Sequence, residues 1–223
     1  MILAIYGSGG LGREIFDLAM QINYKKQKYS EILFVDDQRK AGILNGIRYY
    51  PFSEMKQTFN TQEIEFCIAV GEPLLRAEFA NRIKRENWKK ATLIAPTSVV
   101  ADSVQIADGC IICNVAVVLS NVVLKENVLL QSAVTLTHDD VVCENSILCP
   151  HVSVGGGTSI GRNTFIGIGA NIRDHIRVGN NVVVSMGASI LYDVEDYAVM
   201  KGNPASFIHY NDGKYIFSSK NEK

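Results

Sequence analysis

The chain has 223 residues, 47% of them hydrophobic, and 22 Lys and Arg against 23 Asp and Glu give it a formal net charge of -1. This length and apolar content suit a folded body of one or two domains. Near-neutral charge without a Lys/Arg cluster removes the footprint that binding to nucleic acid or a membrane surface requires. The start MILAIYGSGG has no basic leader, and its apolar run breaks at glycine, so the sequence predicts neither a signal peptide nor a spanning helix and points to the cytoplasm.

In chain order, ILAIY, GSGGLG and REIFDLAMQI read as strand, loop and helix, with Ile15, Leu18, Ala19 and Ile22 at helical spacing. Gly7, Gly9 and Gly12 satisfy G-x-G-x-x-G. Glycine there lets the backbone turn tightly and approach a phosphate at a helix N-terminus. A second strand, EILFV, ends at Asp36 and Asp37, whose carboxylates can accept hydrogen bonds from a ribose or base. A third, FCIAVG, ends at Gly71 before the helix PLLRAEFANRIKREN, so three strands bring residues to one edge. The alternative is that the glycines serve only the turn and the aspartates only cap a loop. If a nucleotide binds, about ninety residues hold one mononucleotide half, which suits a nucleotide sugar better than NAD. Residues 1–92 are therefore read as a Rossmann-like α/β half domain.

From Ile94 the pattern changes. Steps of six reach Val100, Ile106, Ile112, Val118, Leu124, Leu130, Leu136, Val142, Leu148, Val154, Ile160, Ile166, Ile172, Val178, Val184 and Ile190, all Ile, Leu or Val. An unbroken run of that kind arises by chance on the order of once in 10^8 trials. Four residues after each stands a second, smaller series, from Ser98 to Ala188. Turn residues such as Gly161–Asn163 and Gly179–Asn181 lie between the two series. This is the hexapeptide signature of a parallel β-helix, assigned to residues 93–205, with 206–223 as a C-terminal tail whose polar end DGKYIFSSKNEK frays. In this register Cys110 points inward and Cys113 lies at a corner, so their C-x-x-C spacing is repeat geometry, and no disulfide or zinc site is predicted.

The same register turns Leu136 inward and puts Thr137, His138 and Asp139 at a corner, with His138 facing out. A lone surface histidine is most often inert, but Asp139 adjoins it and can orient or charge-stabilise an imidazole acting as general base. Asp140 falls on the inward small series as its only acid, and a buried carboxylate calls for partners.

These repeats, closed by GNPAS at Gly202–Ser206, resemble the left-handed β-helix acyltransferases, whose coils have three sides and which are usually trimers. With the GSGGLG opening and the His-Asp pair, nearly the whole chain resembles the bacterial nucleotide-aminosugar N-acetyltransferases and the sialic acid O-acetyltransferases (NeuD-like). The resemblance implies that His138 is the base and Asp139 its partner. It implies that Gly7, Ser8 and Gly9 face the pyrophosphate of a nucleotide-linked aminosugar, and that Asp36, Asp37 and Gly71 complete that pocket. Gly155, Gly156 and Gly157 would hold acetyl-CoA by backbone N–H groups, without a metal, in a homotrimer. The YGSGGLGREI opening most resembles the subgroup that acetylates 4-amino-4,6-dideoxy sugars. Relatives often carry a histidine at the position of Leu11 and another at that of Ile147, and a basic residue at that of Ser206. Transfer to a hydroxyl, as onto sialic acid, remains the alternative. A non-catalytic nucleotide-binding β-helix and a zinc-binding, carbonic-anhydrase-like one are rivals from other classes. The latter needs histidines on matching corners, and His138 and His151 do not match.

Overall fold

The computed structural model describes residues 1–212 and residue 216. The chain opens with β1 (Ile2–Tyr6), α1 (Gly10–Lys26), β2 (Glu31–Val35), β3 (Gly42–Leu44) and β4 (Ile47–Tyr50). It continues with α2 (Met55–Thr58), β5 (Ile64–Ile68), α3 (Pro73–Arg85) and β6 (Lys89–Lys90). They build one six-stranded sheet in the order β3-β4-β2-β1-β5-β6, parallel except where β3 runs against β4. β5 is buried throughout, as a strand covered on both faces must be, and its run IEFCI is apolar but for Glu65. The β3–β4 hairpin goes beyond the sequence reading. Its signal is Asn45-Gly46, both at positive φ, the turn pair that hairpins favour. Glycine is obligatory at Gly12, where a Cβ would overlap the Gly7 carbonyl oxygen, so helix α1 starts directly against the loop.

Past Lys90 the chain winds into two-residue parallel strands that pair 18 residues apart, as in Ile111 with Leu129, Val117 with Thr135 and Val123 with Val141. They form three sheets, so each coil has three sides. The six-residue series faces inward, and Val118, Leu124, Leu130, Leu136 and Val142 make one continuous core with Ala116, Val122, Val128 and Val134. A single coil cannot bury its inner face, so stability comes from stacking. Corners fall in three columns, each using the left-handed backbone region. One holds Asn127, Asn145, Asn163 and Asn181, each amide donating to the next at 3.1 to 3.2 Å. Asparagine tolerates that conformation better than other non-glycine residues. A second column holds Val115, Ala133, His151, Gly169 and Gly187, and the third holds Asn121, Asp139, Gly157 and His175.

The outward residues of one face, Leu93, Ile111, Leu129 and Ile147, are buried with Ile15, Leu18, Ala19 and Ile22 of α1. That helix is thus packed between its own sheet and the β-helix. Cys110 lies in the coil core and Cys113 in this shared layer, and all five cysteines are free.

The period fails at Asp196 because the chain caps the last coil. Its carboxylate accepts the Asn180 backbone N–H at 2.9 Å and the Asn180 side-chain amide at 3.0 Å. The start of the segment assigned as a tail is a strand. Ser206–Tyr210 is a strand antiparallel to Ala198–Lys201, and that strand continues a β-helix sheet, so backbone pairing extends past the repeat. Of the segment expected to fray, only Asp212 and Ile216 are among the described residues.

Candidate active site

His138 stands on the third corner column between the strands Thr135–Leu136 and Val141–Val142, its side chain 61% exposed. Its Nδ1 lies 2.9 Å from Asp139 Oδ2. The other Asp139 oxygen accepts from the Asn121 amide at 3.0 Å, and this bond together with His138 holds the carboxyl below the ordinary aspartate range. An ionised carboxylate at Nδ1 selects the tautomer protonated there, which leaves the Nε2 lone pair free to take a proton.

One coil on, the corner consists of Gly155, Gly156 and Gly157. A Cβ on Gly156 would lie 2.5 to 2.9 Å from three atoms of the His138 ring, so the imidazole rests on bare backbone. The three N–H groups are not equivalent. Gly155 donates to the Ile172 carbonyl and Gly157 to that of His138, whereas the Gly156 N–H has no partner among the described residues. A free N–H beside a base is the geometry that can meet an oxyanion. Gly156→Ala should push the ring aside without disturbing the coil. Its backbone is not in the left-handed region, and its neighbour is a mobile side-chain end. The expected result is an unchanged melting temperature with turnover reduced at least about tenfold, checked by thermal denaturation and an initial-rate assay. Full activity in that variant would separate His138 from the glycine corner.

Asp140, 1% exposed, has the partners that a buried acid needs. Oδ2 accepts the Thr137 N–H and Oδ1 the Thr158 N–H, both at 2.9 Å, so one carboxylate ties the His138 corner to the end of the glycine corner. Ser146 and Thr164 of the same inward series likewise accept an N–H from the next coil. Burial pushes the Asp140 carboxyl up to about 6 against the pull of those two N–H groups. An unfolded aspartate titrates near 3.9, so between about pH 4 and 6 the native chain binds more protons than the unfolded one. This contribution is therefore complete below about pH 4 and lost as pH rises through 6. Wild type should lose melting temperature over that window relative to Asp140→Thr. Parallel curves from pH 4 to 6.5 would refute it.

The six candidate nucleotide residues also converge. Gly7, Ser8, Gly9, Asp36, Asp37 and Gly71 line a cavity of about 660 Å³ at the strand ends, with Arg13, Arg39 and Phe79. A Cβ on Gly9 would meet nothing within 4 Å, and one on Gly71 only Leu11 at 3.9 Å, so both leave open space for a ligand. Asp36 accepts from the Ser8 hydroxyl and, at 3.0 Å, from the Gln38 N–H. Asp37 is occupied further. Tyr6, the Phe52 N–H and Arg82 all donate to it at 2.6 to 2.8 Å. Burial raises its pKa, but those bonds prevail and hold it below the usual carboxylate range. Burial, and after it the bond to Asp37, push the Tyr6 phenol well up.

Within one chain the two groups lie apart. α1 covers the face carrying Leu129 and Ile147, and the His138 corner joins the other two faces, at the opposite edge of the prism. Leu11 and Ile147 share the apolar layer between the domains. Sequence reasoning missed His175, on the same corner column as Asp139, whose only clue was their separation by two 18-residue coils. It also missed Arg76, which has no motif.

A three-sided hexapeptide β-helix with a nucleotide-type α/β domain at its N-terminus, a His-Asp pair and a bare glycine corner defines a class, the hexapeptide-repeat acyltransferases. Residues 2–83 match the PglD N-terminal domain family. No curated protein sequence matches the chain. The structure is similar to the acetyltransferase domain of PglB from Neisseria gonorrhoeae FA1090, with 30% identity and a TM-score of 0.86 over 93% of this chain and 99% of that one. That domain is also known in complex with acetyl coenzyme A. PerB from Caulobacter crescentus, solved with CoA and GDP-perosamine, shares the fold at 18% identity, TM-score 0.84, over 94% of this chain and 98% of that one. WeeI from Acinetobacter baumannii AYE does so at 20%, TM-score 0.75, over 93% and 100%. The chain belongs to the left-handed β-helix, hexapeptide-repeat acetyltransferases that include this PglB domain. Among the described residues no helix is long and apolar enough to cross a membrane, and no three His, Cys, Asp or Glu side chains are grouped to hold a metal ion.

Proposed function

We propose that this enzyme transfers the acetyl group of acetyl-CoA to the 4-amino group of a nucleotide-linked 4-amino-4,6-dideoxy sugar. The observation that carries the reading is the His138 ring, oriented by Asp139, over Gly156 with its free N–H. The Gly7–Gly9 loop, at the N-terminus of α1, cradles the pyrophosphate by its backbone, and Asp36 takes the ribose or base. Asp37 shapes that wall through Tyr6 and Arg82.

In the reaction, the amine nitrogen attacks the thioester carbonyl carbon while His138 Nε2 takes the proton the amine sheds. The Gly156 N–H meets the oxyanion. The C–S bond then breaks, the new amide departs, and His138 returns the proton to the CoA thiolate. Because the nucleotide cavity and His138 lie at opposite edges of one chain, the cavity of one copy works with the His138 of its neighbour, as a homotrimer provides. The cytoplasm supplies both substrates.

The test is thiol release from acetyl-CoA with UDP-, dTDP- and GDP-linked 4-amino-4,6-dideoxyhexoses, free aminosugars and sialic acid. Turnover confined to a nucleotide-linked amine supports the reading, and turnover only on sialic acid replaces it with transfer to a hydroxyl. Mixed oligomers of His138→Ala and a pocket-blocked Gly9→Trp chain should regain activity that neither has alone.

A further inference from the structure

His138 has a counterpart two coils further on. A Cβ on Gly157 would lie 2.6 Å from Nδ1 and 2.9 Å from Cε1 of His175, so a second imidazole leans on the neighbouring glycine from the opposite side. Gly157 donates to the His138 carbonyl at 2.8 Å and His175 to the Gly156 carbonyl at 2.9 Å, so the three corners are held in register. The result is a notch with a glycine floor and an imidazole on each wall.

The turn itself does not call for an imidazole at His175. Its backbone is left-handed, with φ 56°, where the preceding coil has Gly157 and another column has Gly169 and Gly187. Among the described residues its ring has no hydrogen-bond partner, Asp174 Oδ2 being 4.0 Å away, and its side chain is 74% exposed. A base at His138 requires the attacked carbonyl carbon to lie on the His138 side of the notch. The sulfur and everything attached to it then leave on the other side, past His175. That arm carries amide groups, and a neutral imidazole offers one donor and one acceptor to match them.

We propose that His175 is a binding residue for the acyl donor, its imidazole holding the amide-bearing arm of CoA where it leaves the glycine notch. The proposal rests on the acetyl-transfer reading. The test compares wild type, His175→Gly, which suits the left-handed backbone, and His175→Gln, which restores a donor and an acceptor at similar reach. CoA binding is followed by calorimetry, and steady-state rates are measured alongside. His175→Gly should raise the Kd for CoA and the KM for acetyl-CoA about tenfold, the loss of one hydrogen bond, with kcat and the acceptor KM unchanged. His175→Gln should recover most of the loss. Unaltered CoA binding in His175→Gly overturns the proposal while the acetyl-transfer reading stands. Wild type that neither binds CoA nor transfers acetyl groups overturns both.

Discussion

Replacing His138 with alanine is expected to lower turnover by about 10^2- to 10^4-fold, the range that a positioned general base supplies. The fold should not respond. The imidazole is mostly solvent-exposed and rests on glycine backbone, and no core group loses a partner when it goes. KM for the nucleotide sugar should stay near the wild-type value, because the proposed pocket lies on the other domain. Equal turnover in His138→Ala and wild type would remove the base from this corner. A collapse of the melting temperature would show instead that the ring contributes to packing. Asp139→Asn should cost less than His138→Ala, since it loosens the partner that orients the ring through Nδ1 but leaves Nε2 in place.

The second large effect concerns stability. Arg76 of α3 is 0% exposed and faces no carboxylate within ion-pair distance among the described residues. It donates to carbonyl oxygens of Ile68 at 2.5 Å, Val70 at 3.2 Å and, 51 residues away, Asn127 at 2.6 Å. Burial lowers its pKa to about 10, still far enough above neutrality for the charge to persist. One side chain thus ties the strand end that leads to Gly71 to a corner of the β-helix. Arg76→Ala leaves a cavity and removes the donors from three carbonyls. Relief of a buried charge offsets part of this, and the net loss should be about 4 kcal/mol. For a chain of this size that lowers the melting temperature by about 10 °C. Arg76→Met keeps most of the volume and should recover part of the loss. A wild-type melting curve for Arg76→Ala would mean that water or backbone shifts satisfy those carbonyls.

The repeat was legible because every sixth residue must be apolar for a coil to close on a shared core, so each side chain's inward or outward direction follows from its number. The same register placed Asp140 inside, and the structure supplies the two N–H partners that make this tolerable. Strand, glycine loop and helix were legible for a similar reason, since turn chemistry and helical spacing act over a few residues. His138 and Asp139 are sequence neighbours, so their pairing needed no fold to suggest it. The β3–β4 hairpin has a local signal too, the turn pair Asn45-Gly46.

Tertiary structure decided the rest. The imidazole of His138 lies over Gly156, and that of His175 over Gly157, only because coils stack 18 residues apart with the corners aligned. Which edge of the prism carries them, relative to the nucleotide cavity, depends on α1 docking against one face in particular, a choice made by apolar area spread over Ile15, Leu18, Ile111, Leu129 and Ile147. Arg76 bonds to a carbonyl 51 residues distant, and carbonyls leave no mark in sequence. Periodicity tells each residue whether to face in or out. Which distant residues then meet is set by the packing of whole elements, to which no single residue pattern is addressed.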